Sequence, residues 1–303
     1  MSFNVTILGS GAAIPTINSH PTAQLLQHNN QLFLIDCGEG TQVRLREQKA
    51  KFQRIHHIFI SHLHGDHYLG LFGFLQTQHL LGRTNPITIF GPDGLNELIQ
   101  KHLEVSNSVL NYPLIFKQTN SKKEETIYKD EVIEIKSFPL KHRIPTTGFL
   151  FKELPKPFKI KKEAIEKYQI GIEEIKNLKK GITIKRNGKL IDLSELTYEP
   201  SALKSYAFCS DTAYCDKILK TVKAVDVIYH EATFMEIDAQ RAKQTFHSTA
   251  KQAATIALKA QAKKLLIGHF SNRYQDKLNE LLMEGKSVFE NTFIAEEGKT
   301  FEI

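Results

Sequence analysis

Short apolar runs alternate with segments of helical periodicity along most of the chain. The spacing predicts strands at NVTILGS, QLFLIDCG, HHIFISH, ITIFGP, VIEIKSF, YAFCSD, VDVIYHEA and KLLIGHF, several of which are β-branched or aromatic with polar or glycine ends. It predicts helices at DGLNELIQKHLEV, CDKILKTVK, STAKQAATIALKAQA and QDKLNELLMEG, where apolar residues recur at i, i+3, i+4 and i+7. This alternation indicates an α/β fold whose helices cover the outer faces of one or more sheets.

One segment departs from this pattern. The sequence has no repeat of fixed period and no Gly/Ser-rich linker, so we expect a single domain over residues 1–303. Residues 152–189 open with prolines and carry 12 Lys/Arg against 5 Asp/Glu, a surplus equal to the net charge of +7 of the whole chain. We expect them to form an inserted arm. On charge alone, this arm is either a solvated helical insertion or a positive surface that attracts a polyanion such as RNA.

The remaining composition excludes several classes of protein. The chain is 41% hydrophobic and 24% charged, which is ordinary for a globular protein. Its cysteines are Cys37, Cys209 and Cys215, an odd number that argues against a disulfide framework. The start MSFNVTILGSG lacks the order of a secretory signal, and no apolar run approaches the roughly 20 residues of a membrane span. We therefore expect a soluble, cytoplasmic protein that does not enter a membrane.

The stretch ISHLHGDHYLG concentrates metal-binding side chains directly after a predicted strand. His62 and His64 alternate in an extended segment, so both side chains point the same way. Asp66 and His67 follow Gly65, which lets the backbone redirect them. Neutral imidazole and carboxylate are zinc ligands, and the two pairs on either side of the glycine indicate two metals rather than one.

Further ligands are expected at the ends of other predicted strands. SFPLKHRIP ends in His142, YAFCSDTAY contains Asp211, and KLLIGHFSNRY contains His269. An α/β sheet gathers such residues at one edge. Together with the first cluster they complete two coordination spheres, with Asp211 able to bridge two metals.

The motif His62-x-His64-x-Asp66-His67 with the three later residues resembles the metallo-β-lactamase superfamily. The resemblance implies a four-layer αββα sandwich with the metals at one edge of the sheets. His64 favours zinc, because the iron-containing flavoprotein branch of the superfamily has glutamate there. We therefore expect two Zn²⁺ per subunit.

Further stretches narrow the resemblance to the ribonuclease Z family, which trims the 3′ ends of precursor tRNA. These are GSGAAIPT, DCGEGTQ, YHEATF, FHSTAKQAA and GHFSNRY. The family carries an RNA-binding arm between its fifth ligand and its bridging aspartate, the interval in which residues 152–189 lie. The resemblance implies an endoribonuclease that leaves a 3′-hydroxyl on the tRNA and a 5′-phosphate on the trailer, and also a homodimer. Candidate RNA contacts in the arm are Lys161, Lys162, Lys179 and Lys180.

Catalytic roles follow in part from the residues and in part from the resemblance. Asp66 is a ligand next to the attacking water and can accept its proton. The resemblance implies that His247 donates a proton to the leaving 3′ oxygen and that Glu231 orients it. His230 either hydrogen-bonds a ligand or only ends a strand. Arg273 either binds a phosphate or pairs with a carboxylate.

The sequence departs from the family in two places. The family often has a Pro-x-Lys-x-Arg-Asn loop, and here Pro15-Thr16-Ile17-Asn18-Ser19-His20 lacks both basic residues. The arm has Gly171-Ile172 where a Gly-Pro pair is common. The alternatives to the nuclease are a dinuclear zinc hydrolase of small esters or phosphodiesters and a non-enzymatic RNA-binding protein. Neither alternative needs both the arm and the pair of His247 with Glu231.

Overall fold

The computed structural model describes residues 2–303, and two seven-stranded sheets form its centre. The first sheet has the order β18-β1-β2-β3-β4-β5-β6 and comprises β1 Phe3–Gly9, β2 Ala23–His28, β3 Gln31–Ile35, β4 Ile55–Phe59, β5 Ile87–Gly91, β6 Leu114–Gln118 and β18 Thr300–Glu302. The second has the order β17-β16-β15-β14-β9-β8-β7 and comprises β7 Glu125–Lys129, β8 Ile133–Pro139, β9 Thr147–Glu153, β14 Ser205–Cys209, β15 Val227–Glu231, β16 Lys264–Gly268 and β17 Thr292–Ile294. The runs β3 to β6 and β14 to β17 are parallel.

Helices cover the outer face of each sheet. Outside residues 152–203 the helices are α1 Thr41–Glu47, α2 Gly65–Tyr68, α3 Gly70–Leu80, α4 Leu95–Val105, α8 Ala239–Thr245, α9 Ala250–Lys259 and α10 Leu278–Lys286. Three further helices, α5 Lys162–Lys167, α6 Ile172–Lys179 and α7 Leu193–Leu196, lie within residues 152–203. Leu45, Phe74 and Ile99 of α1, α3 and α4 join one apolar cluster with strands of the first sheet. Ala253 and Leu281 of α9 and α10 join another with strands of the second. The predicted αββα layering is confirmed.

Aromatic side chains fill the space between the sheets. Phe59 of the first sheet stacks on Phe90 with ring centroids 4.7 Å apart and meets Phe149 and Phe151 of the second sheet at 5.4 Å each. These rings are fully buried. Full burial of a phenylalanine side chain contributes about 1.5–3 kcal/mol, so this layer holds the two sheets face to face.

The eight predicted strands are confirmed, whereas one predicted helix is wrong. CDKILKTVK forms only a short 3₁₀ turn at Asp216–Lys220. The buried Ile218 and Val222 produced the helical spacing, but so short a segment has little helical preference of its own and two β-branched residues follow it. The helix predicted at STAKQAATIALKAQA is confirmed as α9, and its N-cap is Thr249, whose side chain accepts from Gln252 N–H in a capping box.

The described chain divides into two compact units, and Lys129–Glu134 with Lys152–Leu203 form the smaller one. Residues 152–189 lie inside it. Two short antiparallel pairs belong to it, β10 Lys159–Ile160 with β13 Thr197–Tyr198 and β11 Lys185–Arg186 with β12 Lys189–Leu190. Its α5, α6 and α7 enclose a small apolar cluster of Ala164, Ile170, Leu178, Ile184 and Leu196. None of the helices between residues 2 and 303 is long and apolar enough to cross a bilayer.

Candidate metal centre and acid pair

Three neighbouring parallel strands bring Asp211, Glu231 and His269 to one edge of the second sheet. Glu231 ends β15, and the other two residues follow β14 and β16. Asp211 and His269 have φ of +58° and +59°. This left-handed conformation is costly for a residue other than glycine and persists where the surroundings hold it. The chain therefore bends sharply at both positions to aim these side chains into one site.

The first motif reaches the same site from the first sheet. His62 and His64 follow β4, the backbone at His64 is extended, and Gly65 begins α2, which carries Asp66 and His67. The change from extended chain to helix separates the two pairs. Gly65 does so without a positive φ, because it serves as the first residue of the helix.

The structure brings all the predicted ligand residues together. Their donor atoms form two groups, each with atoms within 4.8 Å of one another: His62, His64, His142 and Asp211 in the first, and Asp66, His67 and His269 in the second. A third group of Asp211, His247 and His269 shares one residue with each of them. In the first group, His64 Nδ1 lies 2.9 Å from His62 Nε2 and 3.2 Å from His142 Nε2. Such convergence of ring nitrogens and carboxylates is the donor set of a metal site.

Asp211 lies between the two groups. Its Oδ2 is 3.5 Å from His62 Nε2 and 3.6 Å from His142 Nε2. Its Oδ1 is 3.1 Å from both His67 Nε2 and His269 Nε2. One carboxylate thus turns one oxygen toward each group, which is the arrangement that a bridging ligand requires.

Hydrogen bonds from outside the site orient the imidazole rings. His142 Nδ1 donates to the Phe246 carbonyl at 2.9 Å, and His269 Nδ1 lies 2.9 Å from Thr233 Oγ1. Asp36, which is not among the residues predicted for the site, accepts from His67 Nδ1 at 2.7 Å. Each bond leaves the other ring nitrogen facing the donor groups, as expected for metal-ligating histidines.

His67 and its partners provide an internal test of whether a cation fits. His67 Nε2 is fully buried and has no hydrogen-bond partner within residues 2–303. Burial lowers the pKa of His67, but the carboxylates of Asp211, Asp66 and Asp36 outweigh it and raise the pKa well above its ordinary value. The buried carboxylates therefore stabilise a positive charge at this position, and the His67 Nε2 atom has no hydrogen-bond partner there. Both properties fit a bound metal ion.

His142 meets a second requirement of a metal ligand. Burial lowers its pKa to about 4, despite the opposing effects of Asp211 and of the Phe246 carbonyl. The ring is therefore neutral near pH 7, with a lone pair on Nε2. Only the neutral imidazole can ligate a metal.

His247 and Glu231 form a buried pair beside the donor groups. His247 Nδ1 lies 2.8 Å from Glu231 Oε1, and Glu231 also accepts from the Thr212 and Ser248 N–H groups. Burial lowers the pKa of His247, but Glu231 outweighs it and raises the pKa to about 9. Burial raises the pKa of Glu231, and His247 reverses this to about 2. The pair is therefore a carboxylate holding a protonated imidazole at neutral pH.

A cleft of about 410 Å³ opens onto this edge and contains Asp66, Asp211, His247 and His269. Arg143 and Arg241, which are not among the residues predicted for the site, also line it. In the sequence, the one sign of their role is that both lie close to predicted site residues: Arg143 directly follows a predicted ligand, and Arg241 precedes the predicted proton donor by six positions. The cleft therefore combines acidic metal donors with guanidinium groups suited to phosphate.

Other predicted residues lie outside the donor groups. His230 Nδ1 donates to the Glu231 carbonyl at 2.7 Å, and in the described chain His230 has no hydrogen bond to a predicted ligand. Arg273 Nη1 lies 3.4 Å from Asp238 Oδ2. In the smaller unit, Lys161 Nζ donates to the Ser194 carbonyl at 2.7 Å. The other arm lysines, Lys162, Lys179 and Lys180, are exposed.

Comparisons with known proteins agree with this geometry. Residues 3–155 match the family model described as Anti-Pycsar protein Apyc1. A protein named Ribonuclease Z from Bacteroides fragilis is 43% identical over 97% of this chain and 97% of its own length. One of the same name from Phocaeicola vulgatus is 44% identical over 97% and 96%.

Solved structures resemble the chain over its whole length. The crystal structure of human tRNase Z, short form, superimposes with a TM-score of 0.72 at 28% identity and covers 99% of both chains. The metallo-β-lactamase fold protein YhfI from Bacillus subtilis gives a TM-score of 0.72 at 17% identity, with 100% of both chains covered, a likeness of fold alone. The predicted metallo-β-lactamase fold is confirmed.

Proposed function

This chain belongs to the ribonuclease Z family, and its first half also to the Anti-Pycsar Apyc1 family; on that premise we propose that it cleaves the 3′ trailer from precursor tRNA. The observation that carries the proposal is the convergence of two donor groups on Asp211 beside the pair of His247 and Glu231. Phosphodiester hydrolysis needs charge neutralisation at the phosphate and a proton for the leaving oxygen. The site offers both within one cleft.

The two donor groups would hold two zinc ions per subunit, and Asp211 would be available to both. His62, His64 and His142 would hold one ion, and Asp66, His67 and His269 would hold the other. When bound, the metal pair supplies Lewis acidity at the scissile phosphate and lowers the pKa of water. The imidazole-rich donor set favours zinc over magnesium or calcium, which prefer oxygen ligands.

Residues of this chain accept and donate the protons of the reaction. Asp66 Oδ2 accepts from Ala13 N–H at 2.8 Å, which fixes the carboxylate at the cleft, where it accepts a proton from the attacking water. As the bond between phosphorus and the 3′ oxygen breaks, His247 donates its proton to that oxygen. Glu231 holds His247 Nδ1, which orients the ring for this transfer. The trailer keeps the phosphate and the tRNA keeps the 3′-hydroxyl.

The smaller unit supplies an RNA-binding arm in this proposal. Its net positive charge supports binding to the phosphates of the tRNA body through Lys161, Lys162, Lys179 and Lys180. Arg273 serves as a further RNA contact near the site. The active form is a homodimer in the cytoplasm, in which the arm of one subunit holds the tRNA that the other cuts.

The direct test is to incubate the purified protein and Zn²⁺ with a precursor tRNA that bears a 3′ trailer, and to map both new ends. We expect one cut near the end of the acceptor stem, a 3′-hydroxyl on the tRNA and a 5′-phosphate on the trailer. His247→Ala should lose the cut, and His102→Ala, which alters an exposed histidine on α4, should retain it. An intact precursor together with hydrolysis of bis(p-nitrophenyl) phosphate would instead identify a small-phosphodiester hydrolase.

A further inference from the structure

His247 lines a second cavity that the mechanism above does not use. This cavity has a volume of about 470 Å³, and Lys141, Tyr214, Gln240, Lys243 and Gln252 line it together with His247. Within residues 2–303, His247 is the only lining residue that this cavity shares with the cleft of the metal donors. No predicted metal ligand and no carboxylate faces it among the residues that the structure describes. The ring that donates the proton therefore stands between two different environments.

The cavity offers the chemistry of a nucleotide site. Lys141 and Lys243 are exposed, and neither ammonium group has a hydrogen bond or ion pair within residues 2–303. Tyr214 adds an aromatic wall to the cavity. Its hydroxyl accepts from Lys259 Nζ at 2.7 Å and donates to Asp216 at 2.7 Å, and these two hydrogen bonds fix the position of the ring. Two free cations beside a fixed ring suit a phosphate and a base.

Two short segments distribute cations to both sides of the proton donor. Lys141 and Arg143 flank His142, and Arg241 and Lys243 lie two positions apart on α8. Residues two apart in a helix do not share one face, and the chain bends at residues 142–144, so neither pair is confined to one surface. The arginines line the cleft, and the lysines line the cavity. Because residues 15–20 contain no Lys or Arg, these segments supply the positive charge at the site.

The direction of the cleavage assigns the occupant of the cavity. Glu231 holds Nδ1 of His247, so Nε2 donates the proton to the leaving 3′ oxygen. The phosphorus stays with the trailer beside the metal donors, and the ribose that carries the 3′ oxygen must contact His247. We propose, resting on the function proposed above, that the cavity binds the 3′-terminal nucleotide of the tRNA portion, with Lys141 and Lys243 on the phosphate at its 5′ side.

Neutral methylphosphonates test this assignment, since each removes one phosphate charge. One precursor carries the substitution 5′ to the last tRNA nucleotide, and another carries it 3′ to the first trailer nucleotide. The enzymes are the wild type, Lys141→Ala/Lys243→Ala, and Lys217→Ala/Lys223→Ala, a control that removes two exposed lysines elsewhere. The readout is kcat/KM under single-turnover conditions, with bis(p-nitrophenyl) phosphate hydrolysis as the measure of an intact site.

In the wild type and the control, the tRNA-side substitution should lower kcat/KM about tenfold. The Lys141→Ala/Lys243→Ala variant should cleave the unmodified precursor about tenfold more slowly than the wild type. On this variant, the tRNA-side methylphosphonate should cause no further loss of kcat/KM. Lys141→Arg/Lys243→Arg should restore the sensitivity. If the tRNA-side effect persists in the alanine variant, or if only the trailer-side effect disappears, the assignment is wrong. An unmodified precursor that the wild type leaves intact would instead overturn the proposed function itself.

Discussion

The metal centre and the smaller unit use charged residues in opposite ways. At the metal centre, Asp36, His67 and Asp211 are almost completely buried, and hydrogen bonds or opposed charges orient each of them. In the smaller unit, Lys162 and Lys179 are exposed, and the apolar cluster beneath them is small. Metal ligands must be held within a few tenths of an ångström, whereas attraction between lysines and phosphates acts over several ångströms of water. The difference implies that damage to the two regions should have different consequences.

Loss of the bridging carboxylate should be the most severe change. Asp211→Ala removes the only side chain whose oxygens face both donor groups in the described chain. We expect metal content to fall and turnover to drop by about a thousandfold or more for RNA and for bis(p-nitrophenyl) phosphate alike. Metal analysis and initial rates on both substrates measure this. Retention of full metal content and rate would exclude Asp211 as a bridging ligand.

Removal of the proton donor should separate the two substrates. His247→Ala should lower kcat for precursor tRNA by about 10²–10⁴, the usual contribution of general acid catalysis. Hydrolysis of bis(p-nitrophenyl) phosphate should change far less, because its leaving group departs without a proton. Measuring the rates on both substrates at saturating zinc tests whether the loss is confined to the RNA. An equal loss on both would mean that His247 acts on the metals or the fold rather than on the leaving oxygen.

Asp36→Asn should weaken the metal site without removing a ligand. The carboxylate accepts from His67 Nδ1 and from Ser61 N–H, both at 2.7 Å. Loss of such a partner lowers metal affinity by about 10–100-fold. Titration with a zinc buffer measures the affinity. Asp226→Asn removes another hydrogen-bonded carboxylate, which pairs with Lys263, and should leave the affinity unchanged.

Removal of arm lysines should have the smallest effect and should concern RNA alone. Lys162, Lys179 and Lys180 changed together to alanine should weaken precursor binding by about tenfold and make it less sensitive to salt. Hydrolysis of bis(p-nitrophenyl) phosphate should be unaffected. The matched control changes the exposed Lys122, Lys123 and Lys217. If both triple variants lose the same affinity, net charge rather than the arm attracts the RNA.

The sequence predicted the regular parts of this fold well. The eight strands with strong β-branched or aromatic patterns are present, because burial on both faces leaves a continuous apolar run. Six strands of the two large sheets were not recognised, namely β2, β6, β7, β9, β17 and β18. β6 and β7 lie where half-exposed polar residues interrupt the pattern, and pairing with neighbours rather than propensity stabilises them there.

The residue types at the site were also visible in the chain. His62, Asp211 and Glu231 each follow or end an apolar run, and such positions gather at one edge of an α/β sheet. Their identity and spacing sufficed to predict a dinuclear metal site, whereas the roles of His247 and Glu231 came from the resemblance to the ribonuclease Z family. Asp36 lies in DCGEGTQ, one of the stretches that carry the resemblance, but its contact with His67 joins residues that are 31 positions apart and could not be read from that stretch. Arg143 only neighbours a predicted ligand, which did not distinguish it from an ordinary polar residue.

What the sequence determined by itself was the inventory: which residues can bind metal, which segment carries the excess charge, and which runs must be buried. These properties depend on local spacing and on side-chain chemistry. Only the tertiary structure decided that Asp211 faces both donor groups, that Asp36 orients His67, and that His247 separates a cleft from a second cavity. Those relations join residues far apart in the chain, and the packing of two sheets and the left-handed turns at their edge create them.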